Sequence, residues 1–415
     1  METKRIIVVG GGPAGMMAAI RAAHLGCEVT LIEKNPVLGK KLLLSGKGRC
    51  NLTNATDLES FLKRFSKNGQ FLRDAFKKFF NQDLIDFFEE RGLKLKIERQ
   101  LRVFPASDRS ASVLEVLKKE LLKNKVKIIY ESQLKDILIE ENKVKGVIVA
   151  GGKNLLADKL ILATGGLSYA ATGSTGEGIQ LAKRLGYRIV ETRPGLVPLE
   201  TKQNYPKLLE GLTLKNIRVK FSGAKRQIIS EVGELLFTSF GISGPLVLTL
   251  SGEIVDWLNE SKDVFVEIDL KPALTREQLD ARLLREFKIN AKKSIKNALK
   301  SLLPQKLISV VLEIAKINPD KKVSQITQEE RENLASLLKG LRFDILRARP
   351  IEEAMVTRGG VSLKDIEPRT MESRLIKGLY FAGEMIDVDA DTGGFNLQAA
   401  FSTGYLAGES AAVNS

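Results

Sequence analysis

The sequence predicts an α/β fold: a parallel sheet with an antiparallel β-meander, interrupted by a β-barrel insert that carries a helical subdomain. Three observations carry this. First, the apolar strand Arg5–Val9 runs into Gly10-Gly11-Gly12-Pro13-Ala14-Gly15, a helix over 16–25 stopped by Gly26, and a second strand, Glu28–Ile32. Second, the texture changes after Gly186. Residues 189–250 are β-rich and punctuated by Val197-Pro198-Leu199 and Gly241-Ile242-Ser243-Gly244-Pro245; 264–270 is one more strand, and 272–338 is helical, lysine-rich and strand-poor. Third, strands return beyond Pro350, with Leu379–Phe381 short and apolar. The simplest division is a discontinuous domain of 1–190 and 350–415, a barrel of 191–271 and 339–349, and a helical subdomain of 272–338.

Each further element has its own signal. Residues 40–54 read as a polar, glycine-rich loop, and helical patterns run through 61–91 and 111–123. Short strands are expected at 126–130, 134–139, 144–149 and Lys159–Leu162, with turns at Glu141-Asn142-Lys143 and Gly151-Gly152.

Composition bounds the function classes. At 415 residues the chain exceeds one ordinary core, so two or three domains are the default. No apolar run approaches the roughly 20 residues a membrane span needs, and Met1-Glu2-Thr3-Lys4-Arg5 leads straight into a strand, so the cytoplasm is the expected location. The two cysteines, Cys27 and Cys50, allow neither a disulfide framework nor a CxxC pair. The single histidine, His24, lies well into the first helix, away from the glycine turn, and reads as a structural or surface residue. The net charge of +15 raises the question of nucleic acid. Lys288, Lys292, Lys293, Lys296, Lys300 and Lys306 concentrate part of it, and Lys292, Lys296 and Lys300 repeat at i+4, which predicts one helical face. That face is either solvated or in contact with nucleic acid or another anionic surface; no RNP, helix-turn-helix or zinc pattern accompanies it.

The chemistry begins at the glycine turn. Gly10, Gly12 and Gly15 permit a tight turn, approach of backbone to a pyrophosphate and close helix–strand packing, with Pro13 and Ala14 opening the helix whose positive end faces the phosphates. Glu33, at the end of the second strand, is placed for ribose hydroxyls, and Lys34 is grouped with it. Together these make a dinucleotide-binding, Rossmann-like unit. The tail decides which dinucleotide. Gly383-Glu384, followed by Asp387, resembles the ribityl motif of FAD proteins, while Thr392-Gly393-Gly394-Phe395-Asn396-Leu397-Gln398 opens a helix running through Gly404. A helix N-terminus there offers N–H groups to flavin N1 and O2 and stabilises an anionic reduced ring. Ala163-Thr164-Gly165-Gly166 follows a buried strand and returns the chain toward the dinucleotide. Gly39-Lys40-Lys41 and Ser45-Gly46-Lys47-Gly48-Arg49-Cys50-Asn51 form a donor-rich loop suited to the pyrophosphate and flavin edges, in which Cys50 has no visible activator beyond Lys47 and Arg49 and is not read as a nucleophile.

With Arg102-Val103-Phe104-Pro105, 236–245 and 381–398, that cysteine-bearing loop resembles the BaiN/YhiN-like flavoproteins, often described as NAD(P)/FAD-dependent oxidoreductases or as aminoacetone-oxidase-like. Matching motifs extend from residue 6 to residue 408. The resemblance implies an FAD/NAD(P)-binding domain with a barrel and helical insert. It places FAD against the turn glycines, Glu33, Lys41, Ser45 to Asn51, 163–166, Gly383, Glu384 and 393–397, with a backbone amide near Leu134 on the adenine. Arg102, Phe104, Pro105 and Thr357-Arg358-Gly359-Gly360 match family motifs and are expected to line the substrate side.

The expected function is a soluble oxidoreductase with noncovalent FAD, reduced by NAD(P)H and passing hydride to or from a small organic substrate, an enone or an amine. No second GxGxxG occurs, so the nicotinamide cofactor is expected only as a transient visitor. Two alternatives stand beside it: an FAD-dependent RNA-modifying or nucleic-acid-associated protein, and a flavin-binding protein without turnover. No acid or base is assigned, though Arg102, Tyr169 and Arg358 are candidates for a proton donor.

Overall fold

The computed structural model describes residues 3–223, 225–260 and 263–414, so Met1 and Glu2 of the N-terminal run lie outside it. The chain divides into two compact units, 1–195 with 351–415, and 196–350; the first division falls after Gly195. The first unit opens with β1 (Arg5–Val9), α1 (Pro13–His24) and β2 (Glu28–Ile32). Residues 40–54 are not all loop. Lys-Lys-Leu-Leu-Leu contains no breaker and buries Leu42, so it forms α2 (Lys40–Leu44), followed by a 3-10 turn and β3 (Thr53–Asn54). The helical stretch expected over 61–91 is broken into α3 (Leu58–Leu62), α4 (Arg73–Lys78) and α5 (Asn81–Glu89). Asp57 caps α3 by accepting from the Ser60 N–H, and the Asp83 carboxylate at α5 accepts from the Phe80 N–H at 2.7 Å. Then come β4 (Leu95–Glu98), β5 (Arg102–Pro105) and α6 (Ser110–Lys123). Next are β6 (Lys127–Ile129), β7 (Leu134–Glu140), β8 (Lys143–Val149), β9 (Asn154–Leu156), β10 (Lys159–Leu162), α7 (Glu177–Arg184) and β11 (Ile189–Gly195).

In the second unit, β12 (Leu199–Thr201) and α8 (Tyr205–Leu208) precede β13 (Thr213–Gly223), β14 (Arg226–Ile229), β15 (Gly233–Thr238) and β16 (Gly241–Ser243). The β-rich reading of 189–250 ends too late: Pro245, tolerated in a first turn, opens α9 (Pro245–Glu260). After β17 (Val264–Asp269), α10 (Arg276–Ile289), α11 (Ile295–Ala298), α12 (Gln305–Ile314) and α13 (Gln328–Lys339) lead to β18 (Leu341–Ala348). Strand β17 pairs with both β18 and β13, so the order β13-β15-β16-β12-β18-β17 closes on itself. Phe221, Phe237, Val266 and Phe343 fill its core. The single lysine face expected for Lys292, Lys296 and Lys300 does not form. Helix α10 ends at Ile289, a turn follows, Lys296 lies in the four-residue α11 and Lys300 in a 3-10 turn. Lys296 pairs with Asp320 at 2.6 Å, and Lys306 donates to the Glu210 carbonyl at 3.1 Å.

The chain returns to the first unit with β19 (Val356–Val361), β20 (Leu379–Phe381) and α14 (Phe395–Val413). The parallel sheet runs β20-β10-β1-β2-β6. Strands 127–129 and 159–162 belong to this sheet, and the strand that follows the turn at Gly151-Gly152 is β9, not the expected 159–162. Lys159–Leu162 is buried at every position, as a strand covered on both faces must be. The meander is β7-β8-β9, its first turn made by Glu141 and Asn142, both left-handed at φ 50 and 56.

Candidate cofactor site

The strand ends of this sheet gather the glycine turns. Gly10 adopts φ 106, and a Cβ there would stand 2.3 Å from the Ala163 carbonyl oxygen; one on Gly15 would stand 1.9 Å from the carbonyl oxygen of Gly10. These two glycines serve chain packing where β1, α1 and β10 meet. Gly12 differs. Nothing lies within 4 Å of its Cβ position, and it caps α1 without a side-chain hydrogen bond, ahead of Pro13. At Gly12 the start of α1 therefore opens on free space, which is the cradle a diphosphate requires, while Ala14 and Gly15 behind it are buried.

Glu33 is buried beside this turn. Its Oε2 accepts from the Gly11 N–H at 2.8 Å, and its Oε1 accepts from the backbone and side chain of Asn35, both at 2.7 Å. Asn35 was not foreseen, although it follows the acid by two residues; its amide also donates to the Thr172 carbonyl at 3.1 Å. Lys34 points into the neighbouring turn and donates to Thr175 Oγ1 at 2.7 Å and Glu177 at 3.1 Å. Leu134 begins the meander just beyond Ser132, whose N–H donates to the Glu33 carbonyl at 3.1 Å. Glu33 thus joins the glycine turn, Asn35 and the segment that leads into the meander.

A second cluster joins four separate segments. Lys41 on α2 donates to Ser168 Oγ at 2.6 Å and is paired with Glu384 Oε2. Glu384 Oε1 accepts from Ser168 Oγ at 2.5 Å and from the Thr357 N–H at 2.7 Å. Gly383, at φ 74, donates its N–H to Thr403 on α14 at 3.0 Å, and a Cβ on it would stand 2.8 Å from the Ala14 Cβ. The glycines of Ala163-Thr164-Gly165-Gly166 accommodate protein neighbours: a Cβ on Gly165 would meet Ser174 Oγ at 2.7 Å, and one on Gly166 would meet Thr357 Oγ1 at 2.2 Å. Thr164 itself faces Gly178, whose Cβ position is 2.0 Å from Thr164 Oγ1.

The cysteine-bearing loop meets the start of α14. Thr53 donates to Gln398 at 2.7 Å, Asn54 reaches the Gly393 carbonyl at 3.3 Å, and the Asn51 amide, with its oxygen toward the Gly394 N–H, lies 3.1 Å from it. Gly394 (φ 99) caps α14 with the Thr53 backbone 2.5 Å from its Cβ position. Asn396 is pinned to the Ala390 backbone, Phe395 packs edge-on against Phe61 in the core, and Leu397 is half-buried. Ser45, Gly46 and Gly48 form a tight turn with Gly46, Lys47 and Gly48 all left-handed. Cys50, also left-handed at φ 60, is buried, and burial pushes its thiol up to about 12, so it is no nucleophile near neutral pH. The Arg49 side chain turns to Asp108 (2.7 Å) and Glu98 and stacks on Phe104, which leaves only its backbone for a cofactor.

Asp387 accepts from Asn68 at 3.0 Å, and burial raises its carboxyl, as it does those of Asp389 and Asp391 in the same stretch. Among the candidate proton donors, Arg102 is hydrogen-bonded to the Arg99 carbonyl, Arg358 lies 3.9 Å from Asp389, and Tyr169 is left-handed with its ring 6.0 Å from the Lys41 ammonium. His24 is exposed at the last turn of α1. Asn35 and Ser168 are polar positions that the sequence did not assign to the site, signalled only by their adjacency to Glu33 and Gly166. Thr357, expected on the substrate side, bonds to Glu384, and Gln398 of the 392–398 segment bonds to Thr53.

Residues 4–410 match the family described as the HI0933-like protein Rossmann domain. The chain belongs to that family. It is 34% identical over 413 residues, covering 98% of this chain and 99% of the other, to a Clostridium scindens protein named 3-dehydro-bile acid delta(4,6)-reductase. It is 32% identical, covering 96% of both chains, to a Haemophilus influenzae protein named ribosomal RNA dihydrouridine synthase, and 30% identical to its Escherichia coli namesake over 98% and 97%. The fold is shared with a 3-ketosteroid delta1-dehydrogenase from Sterolibacterium denitrificans (TM-score 0.53, 14% identity, 100% of both chains) and with a quinol-fumarate reductase (TM-score 0.52, 18% identity, 99% of this chain and 71% of that one). This HI0933-like protein is an FAD-dependent oxidoreductase, as the resemblance read from 39–54 and 381–398 implied. The open first turn at Gly12 and the buried acid beside it fit the FAD that the family implies. No helix among the described residues is long and apolar enough to cross a membrane.

Proposed function

We propose that this protein reduces a carbon–carbon double bond conjugated to a carbonyl group in a small organic molecule, with electrons from NAD(P)H in the cytoplasm. One observation carries the reading: relatives matched along nearly the whole chain are named for two reactions with that chemistry in common. A 3-oxo steroid 4,6-diene is an extended enone, and dihydrouridine is uridine saturated at the bond conjugated to its C4 carbonyl. Both names are reductions, which favours an enone over an amine. Bound FAD supplies two-electron hydride chemistry, and the protein supplies orientation and charge.

In this reading the Gly12 turn and the start of α1 hold the diphosphate, Glu33 the adenosine ribose, Glu384 the ribityl chain, and the Gly394-capped start of α14 the pyrimidine edge of the ring. The backbone N–H groups of α14 place partial positive charge where reduction adds negative charge. Incubation of the FAD-loaded protein with NADPH or NADH and a panel of enones and primary amines tests it. An enone product heavier by two hydrogens is expected, whereas conversion of amines alone sinks the proposal.

A second reading, uridine reduction in RNA, is favoured by the net charge of +15 together with the two relatives of that name. It predicts retention on ribosomal RNA that falls steeply with salt, because each neutralised phosphate releases counterions. Appearance of dihydrouridine in a transcribed ribosomal RNA fragment would establish it over the small-molecule reading.

A further inference from the structure

Ser168 and Thr357 are both fully buried, and neither carries a charge. Their hydrogen bonds run in one direction. Thr357 Oγ1 accepts from the Leu167 N–H at 2.8 Å and the Ser168 N–H at 3.1 Å, then donates to Ser168 Oγ at 3.2 Å. Ser168 Oγ in turn donates to Glu384 Oε1, which also takes the Thr357 N–H, while Lys41 takes Oε2 and supplies a further bond to Ser168. Each hydroxyl has a single proton, and each is committed along the chain toward the carboxylate. Glu384 is therefore held at both oxygens by groups from three distant segments, and its rotamer has no freedom left to lose when a ligand arrives. The cost of building this is visible at Gly166: any larger residue there would collide with Thr357 Oγ1, 2.2 Å from the Cβ position.

We propose that Thr357 and Ser168 are positioning residues for the cofactor, holding the Glu384 carboxylate preorganised for the ribityl hydroxyls of FAD. The inference rests on the reading of Glu384 as the ribityl acid. Its effect falls on FAD affinity, since a carboxylate already fixed by charge-assisted bonds pays less ordering entropy on binding. Lys41 donates to Ser168 Oγ and pairs with Glu384, so loss of the Ser168 hydroxyl also loosens the cation.

The test is a thermodynamic cycle on the full-length protein stripped of FAD and titrated with FAD by flavin fluorescence. Ser168→Ala and Thr357→Val are expected to weaken FAD binding about tenfold, as one charge-assisted hydrogen bond implies, and Thr357→Ser to restore it to within about twofold. In a Glu384→Gln background the same substitutions are expected to cost no more than about threefold. Unchanged FAD affinity in Ser168→Ala overturns the proposal, whatever happens to the melting temperature of the FAD-free protein. An equal loss with and without Glu384→Gln overturns it as well. Should Thr357→Val fail to fold, Ser168→Ala alone decides. A wild type that binds FAD yet reduces no enone defeats the proposed reaction and leaves this cycle readable, so the two failures are separable.

Discussion

Gly404 on the last helix lies against Ala14 on the first: a Cβ at residue 404 would stand 2.2 Å from the Ala14 carbonyl oxygen. One turn on, a Cβ at Gly408 would stand 2.3 Å from the Ala18 carbonyl oxygen. The two helices thus touch backbone to backbone. With Gly383 packed on Ala14 as well, this contact brings motifs from opposite ends of the chain into one site.

Gly404→Ala is expected to destabilise the first unit by about 1–3 kcal/mol, the usual cost of overpacking, because the obstructing atom is backbone and has nowhere to turn. Gly408→Ala should behave alike. FAD retained on purification should fall with the denaturation midpoint, since α1 and α14 carry both proposed contact segments. A midpoint equal to that of the wild type would show that the helices separate at little cost.

Thiol chemistry separates the two cysteines. Burial raises both thiols, Cys50 to about 12, while Cys27 is only partly buried and has Lys4 nearby to offset the effect. Alkylation with iodoacetamide at mildly alkaline pH should modify Cys27 slowly and Cys50 only after unfolding, read by mass spectrometry of the digested protein. The linkage has a definite sign. A thiol raised on folding contributes stability that is complete below the unfolded value of 9.0 and is lost as pH climbs from there toward about 12. Cys50→Ala should therefore flatten the alkaline arm of the stability profile.

Asp389 titrates in the opposite part of the scale. Burial raises its carboxyl, and Asp387 adds to this, against the lowering effects of Ser66, Arg358 and Lys67. The folded protein then binds a proton that the unfolded chain releases, so this group's contribution falls as pH rises through the window above the ordinary aspartate value. Asp389→Asn removes that dependence. Its melting temperature, compared with the wild type between about pH 4 and pH 7, should improve relative to wild type as pH increases. A constant difference across the range would contradict the assignment.

The strands and turns at both ends of the chain were legible because their signals are local. Arg5–Val9 and Glu28–Ile32 are apolar runs bounded by glycine, and Leu379–Phe381 is a buried triplet followed by Ala382-Gly383. Gly12 was legible for the same reason. What escaped depends on partners far away in sequence. Nothing local separates 127–129 from a hairpin strand, since its place beside β2 is decided by long-range pairing. Lysines spaced by four read as one face until Ile289 proves to be the last helical residue of α10. Arg49 looked like a cofactor cation, but two acids from the β4–β5 region claim its side chain. Ser168 and Thr357 stand 189 positions apart, and no window of sequence joins them.

Hydride delivery from the flavin to an enone, as proposed above, is tested most directly by anaerobic stopped-flow mixing of the NADPH-reduced, FAD-loaded protein with a 3-oxo-4-ene steroid. The oxidised flavin absorbance is expected to return at a rate that rises with enone concentration, with no return upon mixing with a saturated 3-oxo steroid. A flavin that stays reduced with every enone tried, yet reoxidises with an imine, would contradict that proposal.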